Sequence, residues 1–216
     1  MKVLALAVVT STVIGCRPAP QPCMSATSCG DGHECLANRC VPSGGEPVSS
    51  KSVRTVLEPT RVAILSRRTP AGALPTVVTF GSHARGATRM MLEFAPSWRA
   101  KKVEAAFLLL TPANGVFRGN EDIDVSAWRI DEPWDDDQLS WVQAPRLVHP
   151  HGEGIARATP PSELRIDVTH IVQYFAHHPE AYRAISLTSS GGNTAGVSFA
   201  TGVADGPGPR LEIYSR

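Results

Sequence analysis

Aromatic residues are scarce in this chain: Phe, Trp and Tyr together make up 6% of 216 residues. An excess of either charge is also missing, with 21 Lys and Arg against 20 Asp and Glu. That balance excludes the basic footprint on which nucleic-acid binding depends, so no nucleic-acid partner is expected. Long apolar runs are lacking too: the longest, VLALAVVTSTVI near the start, is too short to cross a bilayer core of roughly 30 Å as a helix. No Gly-x-Ser-x-Gly elbow occurs, and no Gly-rich loop leads from a strand into a helix, so a serine-hydrolase elbow and a phosphate cradle are both absent. What is plentiful is 18 Gly and 18 Pro beside a 42% hydrophobic fraction. A chain of that composition buries a core, turns often and builds few long helices.

Residues 1–15, with Met1-Lys2 ahead of the short apolar run, are read as an export signal. The junction Val13-Ile14-Gly15-Cys16 resembles the bacterial lipobox, with Val and Ile where Leu and Ala or Ser are usual. By that resemblance Cys16 becomes the acylated N-terminus and anchors the protein to a membrane. Several acyl chains, at about 0.8 kcal/mol per buried methylene, hold far more firmly than one. Arg17 stands where inner-membrane retention favours Asp, so the expected location is the cell envelope, lipid-anchored at the outer membrane.

Of five cysteines, assigning Cys16 to lipid leaves Cys23, Cys29, Cys35 and Cys40. In an exported chain an even cluster reads as two disulfides, with three connectivities open. The spacings lack the close pairs of a zinc knuckle, which makes zinc the lesser reading. The stretch CMSATSCGDGHECLANRCVP resembles the small Cys-rich segment that follows the lipidated cysteine in many myxobacterial lipoproteins. Residues 16–42 form this segment, and 43–52, SGGEPVSSKS, read as a flexible linker. A domain is expected from 53 to 216.

Short runs of β-branched, aliphatic and aromatic residues between Gly and Pro breaks predict an all-β sandwich there. The predicted strands are 53–57, 61–65, 77–80, 89–94, 103–110, 125–130, 139–141, 164–167, 184–188, 197–200 and 210–214. Met90, Leu92 and Phe94 alternate with Arg89, Met91 and Glu93, while Val103–Leu110 is nearly apolar on both faces. One segment departs from period two: Val168, Ile171, Val172 and Phe175 fall at helical spacing, with Asp167 or Thr169 as cap and Pro179 as stop.

Arg89–Phe94 with Val103–Leu110, Trp128–Ile130 with Pro133-Trp134-Asp135 and Leu139–Pro145, Arg165–Thr169, and Phe199–Thr201 with Pro209–Tyr214 follow one another in an order that resembles the DNRLRE domain. That family overlaps carbohydrate-binding modules of the family 96 type. The resemblance implies a jelly-roll-like β-sandwich, with departures at Asp136, Val142-Gln143 and Ala200-Thr201 that fall on its loops.

Candidate contact residues lie in two connections expected to be loops, 131–138 and 146–163. Trp134 with Asp135, Asp136 and Asp137 offers an aromatic face beside carboxylates, suited to a sugar ring and its hydroxyls. The same carboxylates offer hard oxygen ligands for calcium, but successive residues rarely face one ion, and a solvated turn is the plainer reading. His149 and His151, with Glu153, carry metal-ligand chemistry, yet among Pro and Gly they read as an exposed loop, so no metal and no cofactor is expected. Trp134, Asp135, Asp137, His149 and His151 are therefore the candidate ligand-binding residues. The expected function is a surface-anchored, non-catalytic binding module for polysaccharide or envelope glycan. An envelope-protein-binding module is the alternative, followed by a polysaccharide-active enzyme.

Overall fold

Apolar alternation, interrupted by Gly and Pro, produces antiparallel strands throughout the computed structural model. It describes residues 52–67, 74–81, 87–95, 102–113, 122–156, 163–189, 195–203 and 207–216, and the backbone of a hairpin at 33–36 and 39–42. Cys16, Cys23 and Cys29, the export signal and residues 43–51 lie outside the described residues. The chain divides into two units, residues 1–43 and 44–216. In the first, β1 (His33–Leu36) pairs antiparallel with β2 (Arg39–Pro42), and Cys35 stands opposite Cys40 in the backbone register.

The second unit holds β3 (Val53–Leu57), β4 (Pro59–Ser66), β5 (Val77–Phe80), β6 (Thr88–Phe94), β7 (Val103–Leu110), β8 (Ile123–Ile130), β9 (Leu147–Ala156), β10 (Leu164–Asp167), α1 (Thr169–His177), β11 (Ala184–Ser189), β12 (Val197–Ala200) and β13 (Arg210–Ser215). Four strands form one sheet in the order β10-β7-β13-β3, and five form another in the order β4-β6-β11-β8-β9. A ribbon of β12 and β5 is joined to the end of β7: the Ala113 N–H donates to the Ser198 carbonyl and the Ala200 N–H to the Thr111 carbonyl, both at 2.9 Å. The result, among the described residues, is an all-β sandwich with one short helix.

Between the sheets lies one continuous core. Met90, Leu92, Phe94, Ile185, Leu187 and Val125 come from the five-stranded sheet and Ala106, Leu108, Leu110, Leu211 and Ile213 from the other. Phe80 and Phe199 of the ribbon meet at 6.2 Å between ring centroids. Ile171, Val172 and Phe175 of α1 are buried in the same core. The expected cap is corrected: Val168, not Asp167 or Thr169, occupies the N-cap, and it makes no side-chain cap hydrogen bond. Asp167 Oδ1 accepts the Thr169 N–H at 2.9 Å, while the Thr169 hydroxyl accepts from the Ala106 N–H at 3.0 Å and ties α1 to β7.

The outward face of β7 is buried as well. Phe107 lies beneath the Arg165 guanidinium at 4.0 Å, with Tyr214 edge-on at 6.2 Å. Glu212, 4% exposed on the neighbouring strand, pairs with Arg54 and Arg165.

Two further expectations are corrected. Residues 139–141 form no strand; Leu139 is buried beneath the connection from Asp131 to Arg146, so its apolar character pins that loop to the sheet instead of pairing within it. Residues 147–156, expected as an exposed loop, are the ten-residue strand β9, paired along β8. Two of its inward positions, ahead of the buried Ala156, are glycines because β10 leaves room there for nothing larger. A Cβ at Gly152 would stand 2.0 Å from the Asp167 carbonyl oxygen, and one at Gly154 would stand 2.8 Å from Ile166 Cγ1. Gly is what permits so close an approach of backbone to backbone.

Candidate functional site

The outward face of the five-stranded sheet holds the aromatic and polar residues that could meet a ligand. Antiparallel partners share a face, so the strand registers place Ala63, Met91, Ser186, Trp128 and His151 in one row across it. Leu65, Arg89, Thr188, Ser126 and Glu153 form the next. The connection 131–146 folds over the β4–β6 side, where Trp134 and Leu139 bury Ala63, Leu65 and Met91 in a second apolar cluster.

Trp134 is thereby enclosed, at 6% exposure. Its ring has the Arg61 guanidinium over one face at 4.7 Å and Tyr182 edge-on at 5.9 Å, and its Nε1–H donates to Asp136 Oδ1 at 3.0 Å. Arg61 also binds Asp136, at 2.9 Å, and the Trp134 carbonyl, at 2.9 Å. The hydrogen bond to Asp136 raises the Arg61 pKa above its ordinary value. Burial and a 2.7 Å hydrogen bond to Glu93 likewise raise the Tyr182 phenol. Trp134 is thus an anchor for its loop, and its ring is unavailable as a sugar platform.

The three consecutive carboxylates diverge. All three are exposed: Asp136 bonds Arg61 and the Trp134 indole, Asp135 Oδ1 accepts the Asp137 N–H at 3.1 Å to shape the turn, and Asp137 extends from it. Among the described residues no group of three or more His, Cys, Asp or Glu side chains is placed to hold a metal ion.

At the β9 edge of the same face the arrangement is different. His151 stacks on Trp128 with ring centroids 4.4 Å apart and planes 13° from parallel. His149 lies edge-on to Trp128 at 5.4 Å, and its Nδ1 is 3.1 Å from His151 Nδ1. On the far side of His151, Nε2 lies 3.5 Å from Glu153 Oε1. A bulge between Trp128 and Arg129 creates this meeting, because Trp128 pairs with His151 while Arg129 pairs with Val148, leaving His149 and Pro150 as additional residues. Arg129 braces the bulge: its Nε–H donates to the His149 carbonyl at 3.0 Å, and its guanidinium rests on Tyr174 of α1 at 4.0 Å. His151 and Trp128 are half-buried, and His149 and Glu153 are exposed.

A scan against models of known protein families finds no match for this chain, and a search of curated proteins finds none either.

The structure therefore brings His149 and His151 together and keeps Trp134, Asp135 and Asp137 at a separate, loop-covered place. The residue that sequence reasoning left out of the site is Trp128. A signal for it existed in His149-x-His151-x-Glu153, whose period of two marks the polar face of a strand even though the opposite face is glycine. An open cleft of about 310 Å³, lined by Glu58, Thr60, Arg61, Leu74, Thr201 and Arg210 among others, lies elsewhere, and both its arginines are already paired, Arg61 with Asp136 and Arg210 with Glu163. Among the described residues no helix is long and apolar enough to cross a membrane.

Proposed function

We propose that the sandwich is a non-catalytic binding module for polysaccharide or cell-envelope glycan, carried by a lipoprotein anchored through acylated Cys16 to the outer membrane. The observation that carries this reading is the half-exposed Trp128–His151 stack, with His149 edge-on and the exposed Glu153 carboxylate beside it. Sugar rings pack their C–H faces on aromatic surfaces, while their hydroxyls donate to carboxylates and exchange hydrogen bonds with imidazoles. The contact surface is thus moved from Trp134 to Trp128. A single aromatic stack contributes about 1 kcal/mol, so one site binds weakly and many anchored copies supply avidity. In the Cys-rich segment, Cys23, Cys29, Cys35 and Cys40 form two disulfides that hold a piece with almost no core of its own.

Titrating the protein with neutral and acidic oligosaccharides, in the presence of a chelator, tests the reading. Saturable binding that Trp128→Ala abolishes and Trp134→Phe leaves intact supports it. Absence of binding to every glycan, or turnover of any of them, overturns it.

A further inference from the structure

We propose that His149 and His151 form an open two-imidazole site for a divalent transition-metal ion, with Cu(II) the preferred occupant. The inference does not depend on the glycan reading; it shares the Trp128–His151 stack and the His151–Glu153 contact with it and adds the Nδ1–Nδ1 approach. The two Nδ1 atoms are 3.1 Å apart. With metal–nitrogen bonds of about 2.0–2.1 Å, two donors at that separation subtend an angle of about 98° at the metal. That angle lies between the right angle of a tetragonal site and the tetrahedral value, so one ion spans both donors once each ring turns its Nδ1 lone pair from the other imidazole toward the metal.

Proton placement favours the same arrangement. A contact of 3.1 Å between two Nδ1 atoms is a hydrogen bond in which one nitrogen donates and the other accepts. Because His151 Nε2 faces the Glu153 carboxylate at 3.5 Å, the His151 proton belongs on Nε2. Its Nδ1 lone pair then accepts from the His149 Nδ1–H. When the ion binds, the His149 proton moves from Nδ1 to the exposed side of the ring, at Nε2, and both Nδ1 lone pairs reach the metal with no net loss of protons. A carboxylate behind a ligating imidazole sets its tautomer and orientation.

The two residues lie side by side before any ion arrives. His151 is clamped by its stack on Trp128, and the His149 backbone is fixed by Arg129. No third His, Cys, Asp or Glu joins them among the described residues, so water completes the coordination sphere. Imidazole donors with water suit Cu(II), which also heads the affinity order for divalent first-row ions.

The test is titration of the full-length protein with Cu(II), followed by Trp fluorescence and by electron paramagnetic resonance. One equivalent bound with nitrogen hyperfine structure from two imidazoles is expected. His149→Ala and His151→Ala should each lower affinity at least tenfold, while His177→Ala with His178→Ala leaves it unchanged. Zn(II) added to the wild-type protein should shift the ring-proton resonances of His149 and His151 together, a readout independent of how any variant folds. The proposal is overturned if the wild type binds no equivalent, if the His149→Ala, His151→Ala double variant keeps the wild-type affinity and spectrum, or if Zn(II) leaves both sets of resonances in place.

Discussion

Gly152 of β9 lies so close to Asp167 of β10 that a Cβ built on it would stand 2.0 Å from the Asp167 carbonyl oxygen. The obstacle is backbone, which cannot swing aside, whereas the nearest atom to a Cβ on Gly154 belongs to the Ile166 side chain, at 2.8 Å. Gly152→Ala is therefore expected to cost about 3 kcal/mol or more, and Gly154→Ala about 1–2 kcal/mol, in urea unfolding. Equal costs at the two positions would contradict the close β9–β10 contact.

Trp134 and Trp128 should separate stability from binding. Trp134→Ala empties a buried site beneath Arg61 and is expected to destabilise by about 3–5 kcal/mol, read as a lower urea midpoint. Trp128→Ala removes a half-exposed ring and should lower the midpoint much less while abolishing glycan binding. A Trp134 variant that stayed as stable as the wild type would show that its loop does not depend on the ring.

Tyr182 carries the pH dependence. Burial, and then the hydrogen bond to Glu93, raise its phenol above the ordinary value of about 10. The folded state thus keeps a proton that the unfolded chain releases. The stabilisation is fully present below about pH 10 and is lost as pH rises through the folded value. Urea unfolding of the wild type and of Tyr182→Phe from pH 8 to pH 11 should show a stability difference that shrinks above about pH 10. A difference that stays constant across the range would refute the assignment.

Glu212 and Arg54 form an unequal pair, with the carboxylate side chain 5% exposed and the guanidinium side chain 54% exposed. Arg54→Ala leaves the nearly buried Glu212 carboxylate with Arg165, at 3.9 Å, as counter-charge, and is expected to cost about 3 kcal/mol. Glu212→Gln removes the buried charge itself and leaves a largely solvated Arg54 to water, and should cost about 1 kcal/mol. Comparing the two by thermal unfolding checks the asymmetry.

The sequence by itself determined those elements whose own residues form a β-branched or apolar run or alternate between core and solvent. Val53–Leu57, Val77–Phe80 and Val103–Leu110 have the strand bounds their apolar pattern predicts, and Val168, Ile171, Val172 and Phe175 mark the buried side of α1. Met90, Leu92 and Phe94 point to the main core as their alternation requires. The reason is local: period two or period 3.6 in hydrophobicity records which side of a single element faces away from water.

Only the tertiary structure decided the rest. β9 shows no apolar periodicity because two of its inward residues are Gly152 and Gly154, which admit the approach of β10, and the polar alternation of His149, His151 and Glu153 is the one mark it leaves in the sequence. Trp134 resembles an exposed loop aromatic until the connection folds onto Ala63, Leu65 and Met91, residues supplied by two other strands. Trp128 and His151 meet because β8 and β9 pair in one register, and His149 joins them because that register shifts at Arg129. Cross-strand neighbours are set by pairing between distant segments, and no pattern within either segment encodes that choice.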